Sequence, residues 1–159
     1  KKMFQFKGRI RRSEYWWGVL VLTICAIVLS LIPFIGQIAV LFLYIAATSM
    51  LFRRLHDTGR SGWWWGCQFC LGFISLIFFA TAIDFHAYMQ AVAENNSTEI
   101  IKVISDGLTD TSGVLGLIFY LVASILGLVL FALTLLDSKP EANKYGDSPK
   151  YVAENVAEE

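Results

Sequence analysis

Residues 53–65 read Arg53-Arg54-Leu55-His56-Asp57-Thr58-Gly59-Arg60-Ser61-Gly62-Trp63-Trp64-Trp65. Three chemistries are open to this set. Guanidinium forks match phosphate oxygens, so three arginines suit a lipid headgroup or another phosphorylated ligand. His56 beside Asp57 is a pair that could do acid–base work on such a ligand. Arg54 or Arg60 could equally pair with Asp57 and lock the segment in place. The catalytic reading lacks apparatus: Thr58 and Ser61 are the nearby hydroxyls, and no metal-ligand set stands beside them. We expect no catalytic residue, no metal and no cofactor here. Gly59 and Gly62 allow φ > 0, and the stretch reads as a tight loop.

The elements around it must hold it at a membrane. Hydrophobic residues make up 56% of the 159 and charged residues 16%, against about 25% charge in an average soluble domain. The mean hydropathy is +0.57. A soluble fold of this size could not hide that much apolar surface. Four segments can cross a bilayer, at about 15–32, 35–52, 63–83 and 114–136, each near the roughly 20 helical residues required. Their backbones must be helical, because lipid satisfies no N–H or C=O. The first segment is too long for a signal-peptide core and has no small-residue cleavage site. Pro33 and Gly36 mark a tight hairpin between the first two spans, with Gly36 allowing the turn. The expected fold class is an all-α, integral membrane four-helix bundle: residues 1–150 form one membrane domain and 151–159 an acidic tail.

Net charge is zero, yet its distribution is lopsided. Twelve of the 13 basic residues lie in the N-terminal arm, in the connection after the second span, or in the tail. With four spans these share one side, which the positive-inside rule makes cytoplasmic. All five tryptophans fall at that interface. The 84–112 loop is different: it carries five acidic residues against Lys102. Its apolar residues recur at helical spacing, and Asn96 with Glu99 looks like a helix cap. Two short amphipathic helices are expected there, acting either as a lid on the helix ends or as an extracytoplasmic docking surface. Asn95-Asn96-Ser97-Thr98 holds glycosylation-type triplets, a weak signal.

Other features carry milder readings. Phe4, Phe6 and Ile10 interleave with basic residues, as an interfacial anchor on anionic lipid does. Ser13 or a neighbour is expected to cap the first span, with Glu14 at the positive helix end. Cys67 and Cys70 have redox spacing but lie within a span, so they read as small apolar residues. The spacing of Gly62 and Gly66 permits close helix approach. Gly113, Gly116 and Gly127 suggest a packing seam on the last span. No ionisable residue lies inside a span, which argues against a monomeric ion-coupled carrier.

Three strings resemble the domain of unknown function 805 family of small bacterial inner-membrane proteins. The first is Phe6-Lys-Gly-Arg-Ile-Arg-Arg-Ser-Glu-Tyr-Trp16. The second, and most specific, is residues 53–64. The third is Asn143-Lys-Tyr-Gly-Asp-Ser-Pro149. The 84–112 loop is longer than the connection in many members. The resemblance implies a four-span inner-membrane fold with no assigned activity, and all three strings fall on the side assigned as cytoplasmic. We therefore expect Arg9, Arg12, Glu14, Arg53, Arg54, His56, Asp57, Arg60, Asp137, Asn143 and Tyr145 to converge. Asp57 and Asp137 should accept from arginines, with Glu14 in the same structural cluster.

The functional expectation is a non-enzymatic accessory or scaffold subunit with both termini cytoplasmic. Its partners would be anionic lipid and a membrane protein or second copies of itself, with no nucleic acid. Two other classes remain open. One is a lipid or small-molecule carrier gripping phosphate with the arginines; the other is a membrane enzyme acting on a phosphorylated lipid.

Overall fold

The computed structural model describes residues 4–151, so Lys1, Lys2 and nearly all of the acidic tail lie outside the described residues. Among those described there are six helices and no strand: α1 (Arg12–Ser30), α2 (Ile35–Asp57), α3 (Trp63–Ala82), α4 (Phe85–Ala93), α5 (Ser97–Thr109) and α6 (Thr111–Leu135). The first, second, third and sixth are long and apolar enough to cross a membrane. Their outward faces stay apolar: Leu20, Val21, Ile24, Ile27 and Val28 of α1 are all exposed. Apolar surface on that scale suits lipid and not water. The chain divides into two compact units, Lys1–Trp64 with Leu130–Glu159, and Trp65–Val129.

The first unit is built on the hairpin of α1 and α2. Its core joins Tyr15 and Leu22 of α1 to Ala46 and Met50 of α2, with Ile10 of the arm. Gly36 does not supply the turn's unusual dihedral, contrary to expectation. Phe34 takes the positive φ of 59°. Gly36 is already inside α2, where a Cβ would lie 1.9 Å from the Leu29 carbonyl oxygen. Its role is close approach of the two helices.

α2 also corrects the reading of residues 53–57 as loop. The helix runs on through Asp57, and only residues 58–62 connect it to α3. Nothing in Arg53-Arg54-Leu55-His56-Asp57 breaks a helix, and Leu55 is fully buried. Arg54 also suits the negative end of the helix dipole. The stop comes at Gly59, which has a φ of +80°. Gly59 N–H donates to His56 O at 3.0 Å and Arg60 N–H to Leu55 O at 2.9 Å. That bond pair is a Schellman cap, for which a left-handed glycine is the usual residue. Gly62 has no positive φ; a Cβ there would meet the Phe52 ring at 2.1 Å.

At the start of α1 the cap position is Arg11, and Ser13 lies inside the helix. Glu14 reaches back to accept from Arg11 N–H at 3.4 Å. The reciprocal half of a capping box is absent, since an arginine side chain has no acceptor.

In the second unit α3 packs on α6 along small residues. Ser75 Oγ donates to Gly116 O at 2.8 Å, and Phe78 stacks on Phe119 with centroids 5.6 Å apart. A Cβ on Gly127 would meet Gln68 Nε2 at 2.5 Å, and one on Gly113 would meet Gly107 O. Gly116 and Gly127 thus lie against α3, whereas Gly113 lies against α5. The two short helices of the 84–112 segment also form. Asp84 caps α4 through His86 N–H and Ala87 N–H, and Asn96 caps α5 through Glu99 N–H. Cys25, Cys67 and Cys70 are free thiols.

Candidate functional site

In the first unit the N-terminal arm, the end of α2, the end of α6 and the tail meet around Asp57. Its side chain is fully buried. One carboxylate oxygen accepts from Arg9 Nε at 2.9 Å. The other accepts from Arg54 Nη1 at 2.5 Å and Ser138 Oγ at 2.5 Å. Both arginine side chains are buried as well, at 1% and 0% exposure. Charges so buried are tolerable only when paired and hydrogen-bonded, and here both conditions hold.

Each arginine then spends its remaining donors on backbone. Arg9 donates to the carbonyls of Asp57, Lys139, Glu141 and Gly146. Arg54 donates to Thr134 O at 3.1 Å, Leu136 O and Ile10 O at 3.4 Å. Arg12 Nη1 donates to Leu135 O at 3.3 Å. The last carbonyls of a helix have no partner inside it. Arg12 and Arg54 supply that partner for α6, where cations also favour the dipole.

The Asn143-Lys144-Tyr145-Gly146 turn fits against the end of α2. Asn143 Oδ1 accepts from Tyr145 N–H at 2.8 Å, and its Nδ2 donates to His56 O at 3.0 Å. Tyr145 lies flat on His56, with centroids 3.7 Å apart and planes 5° from parallel. His56 Nδ1 faces Gly8 O at 3.2 Å. A carbonyl only accepts, so Nδ1 carries the proton. Gly8 has a φ of +92°, which aims that carbonyl.

Most of the expected residues thus come together, with four departures. Arg60 is exposed and its side chain is not among the partners of Asp57. Asp137 accepts from Lys150 Nζ at 2.7 Å and Ser138 N–H, and from no arginine. The Lys150 ammonium, followed by the Ser138 N–H, holds its carboxyl below the usual carboxylate range. Lys150 is raised in turn by the same bond. Glu14 is exposed and serves the start of α1. Arg53 is buried but lies apart from the Asp57 network, beside the arm. Among the described residues no three His, Cys, Asp or Glu side chains are grouped as metal ligands.

The shared geometry of the first two strings is matched by shared ancestry. The profile of the family described as "Protein of unknown function (DUF805)" matches residues 3–99. The chain belongs to the DUF805 family. Inner membrane protein YhaI of Escherichia coli (strain K12) is 33% identical over 93 residues, covering 51% of this chain and 78% of that protein. Inner membrane protein YhaH of the same organism is 36% identical over 76 residues, covering 40% of this chain and 63% of that protein. No solved structure matches. This DUF805 chain is thus an all-helical membrane protein whose relatives are inner-membrane proteins. The matched region holds the arm and the end of α2, whereas the tail string at 143–149 lies beyond it.

Two contributors escaped sequence reasoning. Ser138 completes the shell of Asp57, and nothing in its surroundings marks it. Arg11 donates to Pro149 O and Lys150 O, both at 2.6 Å, and so ties the tail to α1. It sits in the first family string, but its partners are carbonyls, which no side-chain pattern discloses.

Proposed function

We propose that this protein is a non-enzymatic accessory or scaffold subunit of the bacterial inner membrane, with the Arg9–Asp57–Arg54 cluster on its cytoplasmic face. The observation that carries this reading is the burial of Asp57 among its partners. Both carboxylate oxygens accept from donors on three separate segments, and the side chain is 0% exposed, out of reach of a substrate. His56 is held between Gly8 and Tyr145, without a nucleophile in its recorded bonds. Such a cluster suits a latch, holding arm and tail as one surface for a membrane protein partner or a second copy. Exposed Phe4, Trp17, Trp63 and Trp64 suit an interface rich in anionic lipid. The cytoplasmic assignment rests on the distribution of lysine and arginine.

The carrier reading lacks a charged passage between α1 and α2. The cavity between α1 and α2 measures about 160 Å³ and is lined by Val19, Leu22, Ala26, Val40 and Leu43 among others, with no charge.

Native mass spectrometry of the protein released directly from membranes tests the proposal. A stoichiometric hetero- or homo-oligomer that dissociates in Asp57→Ala is expected. A bare monomer in the wild type, or an oligomer indifferent to Asp57→Ala, would remove the scaffold reading.

A further inference from the structure

Arg53 is the exception among the buried arginines. It is 7% exposed, yet its Nε has no hydrogen-bond partner. Arg9 and Arg54, by contrast, spread their donors over Asp57 and seven carbonyl contacts. A buried guanidinium with an idle donor is costly, and native proteins rarely keep one without a use. Arg53 lines a cleft of about 560 Å³ whose other walls are Gln5, Phe6, Lys7, Gly8 and Arg9. Lys7 is exposed at this cleft, and Gln5 adds an amide. The charged group bearing on Arg53 from α1 is Glu14, whose carboxylate acts on it through space without forming a close ion pair.

We infer that this cleft is a binding site for a phosphate group, with the Arg53 fork and the Lys7 ammonium as its cationic ligands. The inference deepens the proposed function and rests on it: it assigns the anionic-lipid contact to Arg53 and takes it away from the buried Asp57 cluster. Two properties favour phosphate. An arginine fork presents paired donors that match phosphate oxygens, and a lysine adds a mobile point charge beside them. The site also lies at the right depth. α2 has 23 residues, about 35 Å at 1.5 Å per residue. The hydrocarbon core takes about 30 Å, which leaves the end of α2 at headgroup level, and the long side chain of Arg53, four residues before that end, reaches the same level. Phe6 packs edge-on against Phe52 with centroids 5.3 Å apart, so the cleft has an apolar wall next to its charges. A lipid headgroup and a free phosphate share this chemistry, and a competition experiment separates them.

The full chain is purified in a maltoside detergent, which carries no phosphate. Binding of short-chain phosphatidylglycerol and of inorganic phosphate is titrated by native mass spectrometry. One high-affinity phosphatidylglycerol is expected per chain. Arg53→Lys should weaken it about tenfold, the equivalent of one charge-assisted hydrogen bond. Lys7→Gln, at an exposed position that the fold does not need, should weaken it severalfold, and Lys102→Gln on α5 should leave it unchanged. If inorganic phosphate displaces the lipid, the site accepts the free ion too; if it does not, the headgroup is the ligand. Equal affinity in wild type, Arg53→Lys and Lys7→Gln overturns the inference, as does failure of both probes to bind. Neither substitution touches the Asp57 network, so an intact oligomer whose wild type binds neither probe, or binds them no better than the two variants do, refutes this site alone. The reverse pattern refutes the scaffold alone.

Discussion

Asp57→Ala should destabilise this protein by about 4 kcal/mol. The substitution removes one negative charge and leaves two guanidinium groups, at 1% and 0% side-chain exposure, without their counter-ion. Removing one partner of a buried ion pair costs about 3–5 kcal/mol. Three donors converge on this carboxylate, at 2.9, 2.5 and 2.5 Å. Each charge-assisted bond contributes roughly 1.5–3 kcal/mol. They share one acceptor, so their effects do not add, and the middle of the ion-pair range is the better figure. Total stability of a domain is about 5–15 kcal/mol, so the variant should fold but unfold readily. Reversible unfolding in mixed detergent micelles, followed by tryptophan fluorescence, measures the loss. Glu99→Ala breaks the Lys102 pair, whose side chains are 64% and 45% exposed, and provides the contrast. An exposed pair of that kind is worth less than about 1 kcal/mol. A double-mutant cycle of Asp57→Ala with Arg54→Met should return a coupling of about 2 kcal/mol or more. If Asp57→Ala costs no more than Glu99→Ala, the buried latch does not exist as described.

Gly36→Ala should destabilise the α1–α2 hairpin by about 1–3 kcal/mol, because the new Cβ would press on the Leu29 carbonyl and force the backbone apart; the detergent melting temperature reads this out. Tyr145→Leu should cost about 1 kcal/mol through the lost stack on His56, whereas Tyr145→Phe keeps the ring and should match wild type in the same unfolding assay. The tail clamp is pH-dependent at both ends. Asp137 has a lowered pKa, so its contribution is full above about pH 4 and disappears as pH falls through the lowered value. Lys150 has a raised pKa, so its contribution is full below about pH 10 and disappears as pH rises through the raised value. Amide exchange in the 143–150 segment should accordingly be slowest relative to its intrinsic rate near neutrality, and Asp137→Asn should remove the acid limb of that profile.

Membrane embedding, the number of spans and the helical state of each were legible in the sequence by itself. They follow from apolar run length and from the ban on unpaired backbone groups in lipid, and both are local properties. The cap of α5 was legible for the same reason, since Asn96 bonds within its own first turn; the equivalent cap of α4 by Asp84 emerged only from the structure. The end of α2 was also written locally, in Gly59, but the charges of Arg53 to Asp57 masked it by looking like a loop. The convergence of arm, α2 and tail was suggested by the family strings. Which arginine serves which acceptor belonged to the tertiary structure alone. Arg9, Arg53, Arg54 and Arg60 are the same residue type within charged stretches, and sequence cannot rank them. Folding separates them by burial and by the carbonyls that each meets. Arg9 and Arg54 close on Asp57, Arg60 stays in solvent, and Arg53 is buried with a donor to spare. Carbonyls carry no sequence signature, because every residue has one. A site whose specificity lies in bonds to carbonyls is therefore decided only when distant segments pack, as Gly8, Thr134 and Lys139 do around the end of α2.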